Sequence, residues 1–304
     1  MKSAGKLRRY LPILCVMLLW GSMGIPSTYA LQELTPLGLL CLRSGVAALL
    51  LGPYVRLHDG SLAPERADRL LLPLLALIGV VLCNYLYFYA LDHTSLTDTA
   101  ILYAAGPLMT AVLAAVFLHE RIHQSRVLGI VIAFVGVVAL LTNGRLSRIF
   151  DIGLNRGDVA ELCSALCLAG YTVLSKRLSG TKPACVVFWL MASSFVMTLP
   201  LVLLSEEGFG TGFGVKTALS VLYLGLLCSG VGYLLQQYSI HSVGAGSSAA
   251  FLNGISPITV LTAGIILHER ITLVQLFSMA LVFAGLYFNA ANRSIVPAHH
   301  STQN

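Results

Sequence analysis

Apolar residues run along this chain in blocks of about twenty, separated by short polar segments. A helix of that length, rising about 1.5 Å per residue, is long enough to cross a bilayer. Because lipid offers no hydrogen bonds to a free backbone, each block predicts a transmembrane α-helix. The ten predicted spans cover residues 11–31, 36–55, 70–91, 96–118, 125–142, 157–175, 184–204, 216–238, 245–267 and 272–290.

The composition indicates the same class of protein. Of 304 residues, 57% are hydrophobic and 11% are charged, whereas about a quarter of the residues of a soluble domain are charged. We therefore predict an all-α integral membrane protein that has the lipid bilayer as its environment.

Lysine and arginine are distributed unevenly between the polar segments. With a cytoplasmic N-terminus, most of them fall on the cytoplasmic side, beginning with the basic residues of segment 2–9. The positive-inside rule then predicts a multi-pass protein of a bacterial inner membrane, with both termini in the cytoplasm. The net charge of +6 follows from this topology and predicts no nucleic-acid partner.

An internal repeat organises the chain. The sequence LHERI occurs at 118–122 and again 149 residues later, and each copy follows a proline, Pro107 or Pro257. Gly136 and Gly285 follow the two copies at the same offset. A duplicated unit of five spans enters the membrane the other way up, which predicts two inverted five-helix repeats. The predicted parts are a cytoplasmic N-terminus (1–10), a first repeat (11–142), a linker (143–156), a second repeat (157–290) and a cytoplasmic tail (291–304).

The first copy of the repeat also contains a zinc-protease pattern. Residues 119–123 read HERIH, a match to H-E-x-x-H, in which two histidines one turn apart bind zinc. The second copy has Thr272 in place of the second histidine, and segment 253–264 offers no aspartate as a further ligand. We therefore predict no metal and no enzyme. An intramembrane enzyme that uses HERIH is the alternative outside transport.

Several motifs resemble a known family over residues 11–290. The EamA family of the drug/metabolite transporter superfamily is similar in its ordered set of motifs, here LLWGSMG at 18–24, LLCLRSGVAALLL at 39–51, GDVAELCSALCLAGYTVLSKRL at 157–178, and the P…LHERI…G blocks at 107–136 and 257–285. The resemblance implies ten spans in two repeats and transport of small metabolites, often amino-acid export, without a bound cofactor. His119 and His268 stand where the family usually has glycine, which would give these loops a pH response.

Two charged residues lie inside predicted spans, where a charge costs roughly 2.5–3.5 kcal/mol. Arg43 either pairs with backbone carbonyls or reaches toward Glu33, or it binds a substrate carboxylate. Glu161 lies on a mostly polar stripe of the sixth span, which must face the protein interior or a water-filled cavity. Its carboxyl either binds an amino group or a coupling proton, or it is simply stabilised by the helix dipole.

Other candidates for substrate contact are polar or aromatic residues within spans, which could equally bond or pack between helices. These candidates are Trp20, Asn84, Tyr87, Tyr171, Gln236 and Asn253. Pro107 and Pro257 are candidate hinges, because a proline within a helix frees a carbonyl and favours a kink.

The sequence contains no G-x-x-x-x-G-K-[ST] motif, so the chain has no phosphate-binding loop of that kind for ATP. We therefore predict a secondary transporter of a small-molecule substrate, working by alternating access, with protons as a candidate coupling ion. The favoured prediction is that it exports amino acids or related metabolites. Uptake, or movement of a cationic or aromatic compound, is the alternative within transport.

Overall fold

The computed structural model describes residues 2–94, 99, 102–103, 105–118, 124–142, 155–266 and 271–291. The described residues form helices and loops, with a single isolated bridge between Leu34 and Gly210. The helices are α1 (Lys2–Gly21), α2 (Gly24–Leu31), α3 (Pro36–His58), α4 (Leu71–His93), α5 (Gly106–Leu118), α6 (Gln124–Leu141), α7 (Arg156–Leu174), α8 (Pro183–Leu204), α9 (Val215–Val243), α10 (Ala245–Phe251), α11 (Ile255–Ile266) and α12 (Leu273–Ala291).

Among the described residues, seven helical stretches are long and apolar enough to cross a membrane. They are Tyr10–Leu31, Pro36–His58, Leu71–His93, Arg156–Arg177, Pro183–Leu204, Val215–Val243 and Ser247–Ile266. Three shorter apolar helices, Gly106–Leu118, Val127–Ala139 and Leu273–Tyr287, coincide with the remaining predicted spans. The chain is therefore an all-helical membrane protein.

The first predicted span is interrupted between α1 and α2. Its helix breaks at Ser22 and Met23, and Ser22 lies four residues before Pro26. A proline ring clashes with the carbonyl four residues earlier and removes a hydrogen bond. The Ser22 hydroxyl also donates to the carbonyls of Leu18 and Leu19, at 2.8 and 3.1 Å. These local bonds stabilise the end of α1 at this position.

Helices α4 and α9 each contain a π-helical segment, which the apolar pattern did not predict. The segments are Leu77–Leu82 in α4 and Tyr223–Gly232 in α9. A π-turn shifts the hydrogen-bonding register and is frequent at functional sites. In this protein each segment is followed directly by residues that line the interior cavity described below.

Both candidate hinge prolines follow a helix break. Ala105 is in a turn just before α5, which contains Pro107. A 3₁₀ turn, Leu252–Gly254, separates α10 from α11, which contains Pro257. Each proline thus lies in the first turn of a helix, where its missing N–H costs little. Pro257 also lies within the helical stretch Ser247–Ile266, just after its 3₁₀ turn, and the hinge role of both prolines stays a prediction.

Close packing of α6 against α12 depends on the glycines that follow the repeated motif. A Cβ on Gly285 would lie 2.6 Å from backbone atoms of Gly129 and Ala133, and one on Gly136 would lie 2.9 Å from the Val282 nitrogen. Only glycine lets two helix backbones approach this closely. The glycine that follows each copy of the motif therefore serves close helix packing.

At one end of the bundle, Glu33 in the loop between α2 and α3 bonds to the start of α9. One carboxylate oxygen of Glu33 accepts bonds from the Gly214 amide and the Thr217 hydroxyl, both at 2.6 Å. The Thr217 and Gly214 bonds lower the pKa of Glu33 below its ordinary value. These contacts place the start of α9 beside the start of α3, and we call this end the Glu33 face.

At the opposite end, Asp68 in the loop between α3 and α4 bonds to the segment between α7 and α8. Its buried carboxylate accepts four bonds from the amides and hydroxyls of Ser179 and Thr181, at 2.6–3.2 Å. Burial alone would raise the pKa of Asp68, but the four bonds outweigh burial and lower it. Helix α3 has 23 residues and runs roughly 34 Å between the two ends. We call this end the Asp68 face.

Candidate functional site

A central cavity lies inside the bundle, between its middle and the Glu33 face. The volume open to the centres of water molecules is about 70 Å³, enough for roughly five waters or a small organic group. The cavity is lined by Trp20, Met23, Gly24, Arg43, Cys83, Asn84, Tyr87, Thr99, Tyr103, Ser164, Leu168, Tyr233, Ile255, Ser256 and Thr259.

Arg43 provides the positive charge of the cavity lining. It is 1% exposed; its Nε donates to Ser229 Oγ at 2.7 Å and its Nη1 to Asn84 Oδ1 at 2.9 Å. The guanidinium also lies over the Phe88 ring, 5.5 Å from the centroid. The expected alternatives, backbone carbonyls or Glu33, were wrong, because the described partners of Arg43 are side chains of α4 and α9.

A hydrogen-bond chain continues from Arg43 through Asn84 to the backbone of α4. Asn84 Nδ2 donates to Tyr233 Oη at 3.0 Å, and Tyr233 Oη donates to the Gly79 carbonyl at 2.8 Å. Two of the five N–H donors of the guanidinium are used in the described bonds. The network therefore holds the guanidinium in place at the cavity wall, with donors left for a bound anion.

Both π-helical segments offer a carbonyl to an aromatic donor on another helix. Gly79 accepts the Tyr233 hydroxyl, and Cys228 accepts Trp20 Nε1 at 3.1 Å. Gly79 and Cys228 are 149 residues apart, the offset of the LHERI repeat. The two widened turns thus use equivalent carbonyls to position two aromatic side chains of the cavity.

Glu161 is buried behind the cavity wall. It is 0% exposed, and neither of its carboxyl oxygens has a hydrogen-bond partner among the described residues. Tyr87 and Cys83 lie within electrostatic range of both Glu161 and Arg43. Arg43 lines the cavity, whereas Glu161 does not, so the two charges are neighbours of one site without forming a described ion pair.

The polar stripe that carries Glu161 faces the protein interior, as predicted. Its members are buried along one side of α7 and the turn that follows: Gly157, Glu161, Ser164, Leu168, Tyr171 and Ser175. Ser164 and Leu168 reach the cavity.

The structure groups four of the predicted site residues in the cavity lining, namely Trp20, Arg43, Asn84 and Tyr87. It leaves Glu161, Tyr171, Gln236 and Asn253 outside that lining. Tyr171 packs its ring where a side chain on Gly79 would lie, and its hydroxyl accepts a bond from Gln237 Nε2 at 2.8 Å. In this conformation Tyr171 joins α4, α7 and α9.

Sequence reasoning missed a polar edge of the cavity on α11 and the contribution of α9. Ser256 and Thr259 lie one turn apart on α11, and Thr259 donates to the Gly21 carbonyl at 2.9 Å. Because residues three apart lie on the same helix face, their spacing could have predicted a polar face on this helix. Tyr233 had no such signal, because it reaches the cavity through the π-helical segment before it.

The outer surface of the bundle is suited to lipid. Large apolar side chains such as Leu204 and Phe277 are 84% and 74% exposed, whereas Arg43 and Glu161 are buried. An all-helical bundle with an apolar exterior and a polar cavity inside is typical of a multi-pass membrane transporter.

Comparison with known proteins also indicates a membrane transporter. The EamA-like transporter family matches residues 8–142 and again residues 155–291. The chain belongs to this family and is a membrane transporter, not an enzyme. It acts on small molecules within the bilayer.

Two relatives found by sequence are named as a transporter and an exporter. An uncharacterized transporter of Archaeoglobus fulgidus is 27% identical over 287 residues, covering 94% of this chain and 98% of the relative. A probable terminal-alkyne amino-acid exporter of Streptantibioticus cattleyicolor is 27% identical, covering 81% and 80%. A crystal structure with 18% identity has a TM-score of 0.75, covers 94% of this chain and 99% of its own, and shows the same fold.

The HERIH segment at 119–123 and positions 267–270 of the second copy lie outside the described residues. The alternative of an intramembrane enzyme is not supported, because the family and the named relatives are transporters.

Proposed function

We propose that this transporter exports amino acids or related small metabolites, by alternating access between two inverted five-helix halves, 11–142 and 157–290. The observation that carries the proposal is the buried guanidinium of Arg43, held by hydrogen bonds at the wall of the small cavity inside the bundle.

The pattern of helix packing supports two inverted halves. Helix α6 packs on α12 and α3 on α8, and each pair joins a helix to its counterpart in the repeat. Contacts between unlike helices come in matching pairs: α4 with α7 and α9 with α1, then α5 with α7 and α11 with α1. Two copies related by a pseudo-two-fold axis would produce this pattern.

Arg43 is proposed to bind the substrate carboxylate. A planar guanidinium can form two parallel bonds to a carboxylate, which makes arginine the preferred side chain for this group. Burial in the bundle strengthens such a contact, since fewer waters compete for the charge. The cavity volume of about 70 Å³ favours a substrate of amino-acid size, with roughly five water-sized groups inside it. The name of the Streptantibioticus relative agrees with this substrate class.

Glu161 is proposed to carry a coupling proton. A buried carboxylate without a partner is costly, and binding a proton removes the charge. Glu161 does not line the cavity, so in this conformation it cannot touch a substrate there, which favours a proton over an amino group as its ligand. Ser164 lies three residues after Glu161 on α7 and lines the cavity, so a change at Glu161 can be passed to the cavity wall along this helix.

A second candidate substrate is a cationic or aromatic compound. The cavity wall contains four aromatic side chains, Trp20, Tyr87, Tyr103 and Tyr233. Aromatic faces attract cations and stack on planar rings. Arg43 opposes a cation, however, so amino acids remain the preferred class.

The proposed location is a bacterial inner membrane, with both termini in the cytoplasm. The unequal distribution of Lys and Arg supports this orientation. It places the Asp68 face in the cytoplasm and the Glu33 face outside.

The test is transport by the purified protein in lipid vesicles. Vesicles preloaded with a panel of amino acids, or with small aromatic cations, are assayed for efflux with and without a pH gradient. Glu161→Gln and Arg43→Lys are compared with wild type and with Glu206→Gln, a matched control in an exposed loop. The control removes one carboxylate without touching the bundle interior.

The expected result is saturable efflux of one amino-acid class, driven by a pH gradient in wild type and Glu206→Gln. Glu161→Gln should lose the dependence on the gradient, and Arg43→Lys should weaken substrate binding. Unchanged coupling in Glu161→Gln would exclude the proton role. Efflux of cations without efflux of amino acids would replace the preferred substrate class by the second one.

A further inference from the structure

A second group of polar side chains is buried on the Asp68 side of the central cavity, outside its lining. Gln236, Ser239, Ser248 and Asn253 are at most 1% exposed. The side-chain nitrogen and oxygen atoms of all four lack a hydrogen-bond partner among the described residues. Buried polar atoms are nearly always bonded in folded proteins, so four such side chains in one region need a reason.

These side chains lie toward the Asp68 face. Helix α9 begins at the Glu33 face, because Gly214, the residue before it, bonds to Glu33. Gln236 and Ser239 fall in the last third of α9, and Ser248 lies in α10, which follows directly. Asn253 is in the 3₁₀ turn after α10. The group therefore lies between the cavity and the Asp68 face, with Gln236 one turn after Tyr233 and Asn253 three residues before Ser256; Tyr233 and Ser256 both line the cavity.

The repeat relates this group to the cavity lining. At the offset of 149 residues, Gln236 takes the place of Tyr87, and Ser248 takes the place of Thr99. Tyr87 and Thr99 both line the cavity. In inverted repeats, the two halves exchange conformations when access switches from one side to the other. Gln236 and Ser248 would then come to line a cavity on the Asp68 side.

A pair of packed aromatic rings lies beside this group. Tyr10, at the start of the first span, packs on Phe251, with ring centroids 5.1 Å apart. Phe251 ends α10, next to the 3₁₀ turn that contains Asn253. Movement of α10 about this turn would separate the rings and expose the polar group.

We propose that Gln236, Ser248 and Asn253 are the substrate-contacting lining of the pathway when it opens to the Asp68 face. The inference rests on the alternating access proposed above. It explains why polar atoms stay buried without partners in this state: they bond to water and substrate in the other. Their chemistry is neutral, so the ligand groups they suit are the polar, uncharged donors and acceptors of a small metabolite.

The first experiment measures accessibility, for which no substrate is needed. Ser248→Cys is treated with a membrane-impermeant thiol reagent applied to the Asp68 face of vesicles. The matched control is Ser194→Cys, an equally buried serine that bonds to Ser44 between α3 and α8. Wild type supplies the background of the seven natural cysteines. Ser248→Cys should be modified severalfold faster than the control, through the population that opens to this face.

The second experiment separates a role in the pathway from a structural one. Gln236→Met and Asn253→Leu replace unpartnered polar atoms with apolar ones of similar size. In the closed state this change should leave thermal stability unchanged or raise it, because no described hydrogen bond is lost. Transport efficiency should fall about tenfold, the effect of one lost hydrogen bond to substrate.

Two results would overturn the inference: Ser248→Cys as unreactive as Ser194→Cys, or a loss of stability in both apolar variants. Wild-type vesicles that move no amino acid, together with a reactive Ser248→Cys, would reject the proposed substrate and retain the pathway. The failures of the two proposals are thus distinguishable.

Discussion

The carboxylate of Asp68 should be a major contributor to the stability of the Asp68 face. It accepts two bonds at each oxygen: from the Ser179 amide and hydroxyl at 3.0 and 3.2 Å, and from the Thr181 amide and hydroxyl at 3.0 and 2.6 Å. Asp68→Asn replaces one oxygen with an NH₂ group, which then faces two donors. A hydroxyl can rotate to accept from that group, but a backbone amide cannot.

One charge-assisted bond is therefore lost outright and the others are weakened, so we expect a loss of about 2–3 kcal/mol of unfolding free energy. The assay is unfolding of the purified protein by SDS titration in mixed micelles at pH 7. The matched control is Glu65→Gln, which removes one negative charge from the same loop; its side chain is exposed and has no described hydrogen bond. The control should lie within about 0.5 kcal/mol of wild type.

The effect of Asp68→Asn should also depend on pH. The folded-state pKa of Asp68 is lowered, so its contribution is present above the ordinary pKa of about 3.9 and is lost as pH falls through the lower folded value. The gap between wild type and Asp68→Asn should shrink under acid conditions. A variant as stable as Glu65→Gln at pH 7 would refute the reasoning.

Three other substitutions test separate parts of the structure. Gly285→Ala should destabilise the protein by about 1–3 kcal/mol in the same SDS titration, because the new Cβ would lie 2.6 Å from backbone atoms of α6. The control Gly106→Ala should be tolerated, because its new Cβ would have its nearest neighbour at 3.8 Å. Tyr233→Phe should cost about 1–3 kcal/mol in unfolding free energy, because the Gly79 carbonyl loses its described partner from another helix, and should slow transport in the vesicle assay. Glu33→Gln should lower the thermal unfolding temperature at neutral pH and match wild type in acid, because the pKa of Glu33 is lowered and its stabilising bonds are lost as that carboxyl protonates.

The apolar pattern was sufficient to predict the helices of this protein but not their interruptions. Each predicted span coincides with helical residues, because a backbone in lipid must bond to itself. The break after Gly21 had a visible cause in Pro26. The π-helical segments had none, because an α-turn and a π-turn bury the same apolar side chains and differ only in hydrogen-bond register.

The sequence was sufficient to predict which candidate side chains are buried. It was not sufficient to predict which of them reach the cavity. Helical spacing predicted that Glu161 faces the interior, and the structure confirms that burial. Spacing could not show that Glu161 lies behind the cavity wall while Arg43 lies in it. That difference depends on how far α3 and α7 approach α4, which side-chain packing decides.

The two halves share their helices but not their chemistry, and this asymmetry bears on direction of transport. At the offset of 149 residues, Glu161 corresponds to Pro12. Arg43 lies seven residues after Pro36, and the residue seven after Pro183 is Leu190. Two chemically identical halves would handle the substrate equally in both states. Here Arg43 lines the cavity on the Glu33 side and Glu161 lies behind its wall. The unpartnered side chains on the Asp68 side, by contrast, are neutral amides and hydroxyls. Under the proposed export, a charged substrate would be held most tightly where it has to leave, so we expect a proton that binds Glu161 from the Glu33 side to be needed for its release.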